Sequence, residues 1–257
     1  MWIDSHCHLD VMRDAPSAVV AEARAAGVER MVTIGVDLAS SAVAVALARE
    51  FPSVWATVGV HPNDSTGFGD PHEAELARLA AEERVVGIGE AGFDFYRNRA
   101  TRDDQERSFR AQIDLAKRFD RALVVHSRDA HAATKRVLAE QGPPAKLVMH
   151  CFSGDENDAG DYLDLGAVLS FSGTVTFTNA PGVQAAARRC PLDRMLLETD
   201  SPFLSPHPHR GTPNSPARIP LIGAFVAALK EVDEQTLAEA VETTAAAVFG
   251  REVVGRW

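Results

Sequence analysis

Cysteine is scarce in this chain, and long apolar runs are missing. The 257 residues include three cysteines, and none of them form a Cys-x-x-Cys pair, so the sequence predicts neither a disulfide framework nor a cysteine-bound zinc ribbon. No apolar run approaches the roughly 18 residues that a membrane-spanning helix needs. The first residues also lack the basic and apolar regions of a secretion signal. We therefore expect a cytoplasmic protein with reduced thiols and no membrane association.

Positive charge is also in short supply. The chain has 26 lysines and arginines against 36 aspartates and glutamates, which gives a formal net charge of −10. This balance argues against wrapping duplex DNA over a wide surface, because such binding needs many cations to displace counterions from phosphates. A small phosphate-bearing substrate or a strand end remains compatible with it. The arginines between residues 97 and 110 predict a local basic rim, although a helix face with paired charges explains them equally well.

The chain does contain a regular alternation of two patterns. Short apolar runs rich in β-branched residues predict buried parallel strands at 1–5, 30–36, 54–60, 85–90, 122–126, 146–150, 166–171 and 194–199. Stretches with helical periodicity predict helices at 15–26, 39–50, 71–83, 101–118, 129–141, 156–164, 180–189 and 216–249. Repeated prolines predict that 202–220 is a long loop.

This alternation fits two α/β architectures, an open doubly wound sheet or a closed (β/α)8 TIM barrel. The chain length is typical of the barrel, which usually needs about 250 residues. A doubly wound nucleotide-binding sheet would place a Gly-x-Gly-x-x-Gly turn after the first strand, and the sequence there reads His6-Cys7-His8. The sequence therefore predicts a single (β/α)8 barrel domain over residues 1–257.

Side chains that bind metals occur at the predicted carboxyl ends of the strands, the end where barrel enzymes keep their active sites. Taken singly, each has another explanation, because a lone strand-end histidine is more often a hydrogen-bonded polar residue and Asp200 suits a turn. Together they form a nitrogen and oxygen donor set suited to a divalent cation. The predicted ligands are His6, His8, Glu90, His126, His150 and Asp200.

Other residues near these strand ends receive weaker interpretations. His61, at the end of the third strand, is expected to contact substrate phosphate or a ligand side chain rather than to bind a metal itself. Asp94 is expected to orient a ligand histidine, because metal-bound imidazoles usually donate their second N–H to a carboxylate. Cys7 and Cys151 are expected to pack away from the site. Three aromatic residues nearby offer stacking surface for a base, Phe93, Phe95 and Phe152, although core packing is the more frequent role for Phe93 and Phe152.

Several motifs, in this order along the chain, closely resemble those of the TatD family of metal-dependent deoxyribonucleases, within the amidohydrolase-like barrels. They lie at 4–9 (DSHCHL), 59–62 (GVHP), 89–94 (GEAGFD), 125–128 (VHSR), 150–154 (HCFSG), 170–173 (SFSG) and 198–202 (ETDSP). Each motif alone is weakly specific, whereas their order over the whole chain is strongly specific. The chain departs from the family at Pro213, where a basic residue commonly precedes the asparagine.

The resemblance implies a division of the ligands between two ions. One ion would be held by His6, His8 and Asp200, the other by His126 and His150, with Glu90 bridging them. The resemblance also implies that substrate phosphate is contacted by three further residues: His61, Tyr96 and Arg210.

The expected function is hydrolysis of ester bonds with two divalent ions, Mn, Zn or Mg. The specific expectation is a 3′→5′ exodeoxyribonuclease that acts on single-stranded or frayed DNA ends, in DNA repair or degradation. Glu90 and Asp200 are the expected catalytic residues, with Asp200 accepting the proton of the attacking water. The alternative is hydrolysis of a carboxylic ester, lactone or amide, for example by an aminoacyl-tRNA deacylase, and the acidic charge and Pro213 favour it.

Overall fold

Every strand pairs in parallel with the next strand along the chain, so that the sheet order is the chain order. The structure is a computed structural model, and it describes residues 1–255. Its strands are β1 (Trp2–Cys7), β2 (Val28–Ile34), β3 (Val54–Val58), β4 (Val85–Asp94), β5 (Ala122–Arg128), β6 (Leu147–Met149), β7 (Val168–Phe171) and β8 (Met195–Leu197).

Helices lie between successive strands, two more follow the last strand, and together they surround the sheet. They are α1 (Pro16–Ala25), α2 (Leu38–Glu50), α3 (Asp70–Ala80), α4 (Arg102–Phe119), α5 (His131–Gln141), α6 (Glu156–Asp164), α7 (Pro181–Arg189), α8 (Ile219–Lys230) and α9 (Glu234–Phe249). All ten residues of β4 are buried, as expected for a strand covered on both faces. Within residues 1–255, no helix is both long enough and apolar enough to cross a bilayer.

Backbone hydrogen bonds between the two ends of the sheet close it into a barrel. The amide of His8 donates to the carbonyl of Ser201 at 2.8 Å, and the amide of Asp200 donates to the carbonyl of His6 at 2.9 Å. Cys7 and Ser201 form a parallel bridge at the same place. The predicted (β/α)8 barrel is confirmed, and its closure lies among the predicted metal ligands.

The predicted helix at 216–249 is wrong as a single element, because the structure forms two helices there. Glu231 has a φ of 57°, a left-handed conformation that ends α8. The Asp233 side chain then accepts from the amide of Thr236 and caps α9. The proline-rich segment before α8 forms the predicted loop up to residue 218 and contains turns and one short 3-10 helix (Pro216–Arg218) rather than a strand.

Candidate metal centre

The six predicted ligands lie together at one end of the barrel, beside a cavity of about 690 Å³. His6 is at the end of β1 and is 1% exposed, while Glu90 lies within β4 and is 3% exposed. The parallel strands bring these side chains together because their carboxyl ends all meet at the same rim. Sequence reasoning therefore predicted which side chains would converge.

The first group of donor atoms comes from β1 and from the segment after β8. The Nε2 atoms of His6 and His8 are 3.3 Å apart, and the Oδ1 atom of Asp200 lies 3.6 Å from the former and 3.2 Å from the latter. Tetrahedral coordination with bonds of about 2.1 Å separates donor atoms by about 3.4 Å. The spacing of these three atoms therefore suits a single divalent cation.

Glu90 lies between this group and a second one. Its Oε2 atom is 3.6 Å from Nε2 of His6. Its Oε1 atom lies 2.6 Å from Nδ1 of His126, 3.2 Å from Nε2 of His150 and 3.6 Å from Nε2 of His61. One carboxylate thus faces two sets of imidazoles through its two oxygens, which is the arrangement expected of a bridging ligand.

Glycine fixes the backbone that carries Glu90. Gly89 has a φ of 123°, and a Cβ atom there would lie 2.3 Å from the carbonyl oxygen of Val124 on β5. Only glycine adopts this conformation and also allows so close an approach of the two strands. The Gly89-Glu90 sequence therefore sets the position of the carboxylate against β5, which carries His126.

Buried carboxylates lie behind two of the histidines. Asp94 Oδ2 is 3.5 Å from Nε2 of His126, and this aspartate also accepts from the Asn63 side chain at 2.9 Å. Glu198 Oε1 is 2.8 Å from Nδ1 of His150. Such contacts hold the imidazole in the tautomer that leaves its other nitrogen free to bind a metal. The expectation for Asp94 matches this geometry.

The role of Glu198 was not predicted from the sequence, although this residue begins the motif at 198–202. The structure buries it completely, and its Oε1 atom also accepts from the Cys151 amide at 2.9 Å. The available signal was a carboxylate directly after a buried strand and two residues before a predicted ligand.

Carboxylates dominate the charge around the buried imidazoles. Burial alone would lower the pKa of His150, but the charges of Glu198 and Glu90 raise it well above its ordinary value. Burial would likewise raise the pKa of Glu90, yet the charge of His150 holds it well below its usual range. For His6, burial and the charge of His150 lower the pKa well below its ordinary value.

The donor set and its charge fit a bound cation. The carboxylates that raise the pKa values of His150 and His126 would attract a divalent ion in the same way, and a bound ion would compete with protons for these nitrogens. Histidine nitrogens mixed with carboxylate oxygens suit Zn and Mn, and also other divalent metals.

Of the three predicted substrate contacts, only His61 lines the cavity. His61 lies at its floor, where its Nδ1 atom accepts from the Asn63 amide at 3.0 Å. Tyr96 lies outside the floor and is 66% exposed. The Arg210 guanidinium lies over the ring of Phe177, 4.0 Å from its centroid. The structure therefore does not bring these three residues together as one cluster.

The structure bears on the weaker expectations for the aromatic and cysteine side chains. Phe93 and Phe152 are buried in the core, their more frequent role, and offer no stacking surface, whereas Phe203 is 52% exposed and lines the cavity next to His8. Cys7 is buried as expected, but Cys151 lies on the cavity wall rather than away from it.

Comparison with known proteins gives the same result over nearly the whole chain. The family model described as TatD related DNase matches residues 3–250. An Escherichia coli K12 protein described as the uncharacterized metal-dependent hydrolase YcfH is 40% identical, covering 96% of this chain and 95% of its own. A Klebsiella pneumoniae protein described as the 3'-5' ssDNA/RNA exonuclease TatD is 36% identical, with 92% of each chain covered.

A solved structure agrees with these sequence relatives. YjjV, a TatD homologue from Escherichia coli K12, is 27% identical to this chain and superimposes with a TM-score of 0.92, covering 96% of this chain and 97% of its own. The barrel fold, the convergence of metal-binding side chains and the sequence similarity all indicate the same family. The chain therefore belongs to the TatD related DNase family and is a metal-dependent hydrolase.

Proposed function

We propose that this hydrolase is a 3′→5′ exonuclease that removes nucleotides from the ends of single-stranded or frayed DNA. The observation that carries the proposal is the tautomer of His61 at the floor of the cavity. Its Nδ1 atom accepts a backbone hydrogen bond, so the proton of the neutral ring is on Nε2, which faces the cavity beside Glu90. A ring in this state donates a hydrogen bond to a phosphate oxygen and leaves no free nitrogen for a metal.

The six ligand residues would hold two divalent ions, Mn, Zn or Mg. We assign His6, His8 and Asp200 to one ion and His126 and His150 to the other, with Glu90 shared. When bound, the ions would activate water and neutralise charge on the phosphoryl group.

The protein side chains would then carry out the remaining steps. Asp200 reaches the cavity, with 14% of its side chain exposed, and would accept the proton of the attacking water. As the new bond to phosphorus forms, the bond to the leaving oxygen breaks, and Asp200 would return the proton to that oxygen. His61 would donate to a non-bridging oxygen, and Arg210 and Tyr96 would contact phosphate nearer the rim.

The shape of the site favours strand ends. The donor groups lie at the floor of a cavity about 690 Å³ in volume, enclosed by the carboxyl ends of the strands. A continuous duplex would have to pass over this cavity, whereas the last nucleotide of a single strand can enter it. The Klebsiella relative described as a single-stranded DNA and RNA exonuclease supports the same substrate class.

The test uses protein stripped with a chelator and reloaded with Mn, Zn or Mg. Single-stranded DNA labelled at its 5′ end should give a ladder of progressively shorter products, and DNA labelled at its 3′ end should release the label as a mononucleotide at once. Substitution of Asp200→Ala or Glu90→Ala should abolish cleavage, and His61→Ala should reduce kcat by roughly 10²- to 10³-fold.

Asp193→Ala, an exposed aspartate remote from the donor groups, is the matched control and should leave cleavage unchanged. No cleavage with any ion would contradict the proposal. Hydrolysis of aminoacyl esters or lactones without hydrolysis of DNA would instead support the carboxylic ester alternative.

A further inference from the structure

Two arginines without carboxylate partners line the cavity that contains the candidate metal centre. Arg97 follows β4, and Arg128 is the last residue of β5. Within residues 1–255, no aspartate or glutamate oxygen lies within 4.0 Å of either guanidinium. Arginines on the barrel wall differ, since Arg110 and Arg136 both pair with Glu106. The charge of the cavity arginines is therefore available to a ligand.

Arg128 is held against an exposed aromatic ring. Its guanidinium carbon lies 4.0 Å from the centroid of Tyr96, as in a cation–π stack. Tyr96 is still 66% exposed, so most of its ring surface faces solvent. An exposed ring beside free arginines presents both elements of a single-strand binding surface, a stacking platform for a base and cations for phosphates.

The backbone fixes this surface relative to the metal centre. The Phe95 amide donates to the carbonyl of Arg128 at 3.0 Å, and the Arg97 amide donates to Oδ1 of Asp94 at 2.7 Å. Asp94 is the same carboxylate that lies against His126. Tyr96, Arg97 and Arg128 therefore sit at a set distance from the donor groups, on the edge formed by β4 and β5.

We propose that Tyr96, Arg97 and Arg128, here called the mouth patch, bind the nucleotides that precede the one being removed. The ligand class is a single nucleic acid strand several nucleotides long, with phosphates on the arginines and the Tyr96 hydroxyl and a base on the free surface of the Tyr96 ring. The proposal rests on the proposed exonuclease function and deepens it, because it makes an oligonucleotide, rather than a dinucleotide or a small phosphate ester, the preferred substrate.

Binding can be measured without catalysis. Metal-stripped protein is titrated in chelator against fluorescent oligothymidylates of about 2 to about 12 nucleotides, and anisotropy gives Kd at several salt concentrations. Arg128→Ala should weaken binding of the longer strands and reduce the salt slope by about 0.7. Tyr96→Ala should weaken it by about 5- to 100-fold through lost stacking. Binding of the dinucleotide should change much less, because it does not reach the mouth patch.

Two further variants control for charge and fold. Arg118→Ala is the matched control, because its guanidinium also stacks on a ring, that of Phe119 on α4 away from the cavity. It should bind every oligonucleotide as the unmodified protein does. Arg128→Lys keeps the charge but loses the planar stack, so it should keep the salt slope and still bind more weakly. Circular dichroism and Tm confirm that each variant is folded.

The outcomes separate this inference from the proposed function. Equal affinity and salt slope in the unmodified protein and both alanine variants of the mouth patch overturn the inference, as does an equal loss in Arg118→Ala. Cleavage of DNA with a KM that is independent of strand length also overturns it while the exonuclease function stands. Binding that depends on the mouth patch, in a reloaded protein that cleaves no DNA, supports the inference and rejects the exonuclease function.

Discussion

Glu198 offers the sharpest test of how the second group of donor atoms is built. It is fully buried behind His150, with Oε1 2.8 Å from Nδ1 of that ring and 2.9 Å from the amide nitrogen of Cys151. We predict that Glu198→Gln weakens binding of the ion assigned to His126 and His150, while the ion assigned to His6, His8 and Asp200 binds nearly as before.

The magnitude follows from where the new amide group must lie. If the glutamine carbonyl keeps the contacts of Oε1, its NH2 group takes the place of Oε2. That atom is buried and has no hydrogen-bond partner among the described residues. A buried donor without a partner costs about 1–3 kcal/mol. In the opposite orientation, the NH2 group faces Nδ1 of His150 and the amide of Cys151, and it can accept a hydrogen bond from neither.

Both orientations weaken the hold on the His150 ring. Removal of a carboxylate that orients a metal ligand typically lowers metal affinity by about 10- to 100-fold. That range corresponds to about 1.4–2.8 kcal/mol. It is close to the cost of burying the glutamine NH2 group without a hydrogen-bond partner. We therefore expect one of the two binding steps to weaken by this amount, and activity to recover when the metal concentration is raised.

Competition with a chromophoric chelator, for Zn and for Mn, measures both binding steps. Glu106→Gln is the matched control, because it also removes a glutamate charge that faces basic groups, Arg110 and Arg136, but on the barrel wall. Unchanged affinity of both ions in Glu198→Gln would refute the reasoning. Equal weakening of both ions would also refute it, since that result would indicate a general loss of structure.

Three further predictions follow from contacts in the site. Gly89→Ala should destabilise the fold by about 3 kcal/mol or more, because its Cβ would lie 2.3 Å from a carbonyl oxygen of β5. Urea unfolding measures this loss, and Gly182→Ala on α7, where a Cβ has room, should fold normally. Asp94→Asn should weaken the same ion as Glu198→Gln by about 10-fold, seen in metal stoichiometry. Lowering the pH from about 8 to about 6 should weaken metal binding by more than about 10-fold, measured by calorimetry. Burial lowers the pKa of His126 and His150, but neighbouring carboxylates raise both above 6.5, so protons begin to compete with the metal above that pH.

The barrel was predictable because its signals are local and repeated. Near-continuous apolar strands at even spacing require a sheet covered on both faces, and the ligand residues fall at the ends of those strands. The end of α8 was not predictable from the same periodicity. The left-handed residue Glu231 and the cap at Asp233 interrupt a stretch whose composition stays helical throughout.

The sequence could not separate the paired arginines from the unpaired ones. Of the arginines between residues 97 and 110, Arg107 and Arg110 pair with carboxylates, as the solvated helix explanation predicted. Arg97 has no such partner within residues 1–255 and lines the cavity, as the basic rim predicted. Both explanations hold for different members of one cluster, because Arg107 and Arg110 each have a carboxylate partner one turn earlier on the same helix, α4, whereas Arg97 precedes that helix.

Closure of the barrel and assembly of the first donor group use the same backbone bonds. The amide of Asp200 donates to His6, and the amide of His8 donates to Ser201, so the hydrogen bonds that join β1 to the segment after β8 also bring the three donor atoms together. Residues at opposite ends of the chain supply this group, so it cannot form before the first and last strands meet. An ion bound there would link those strands and bind only the folded chain, and its binding free energy would therefore add directly to the stability of the closed barrel.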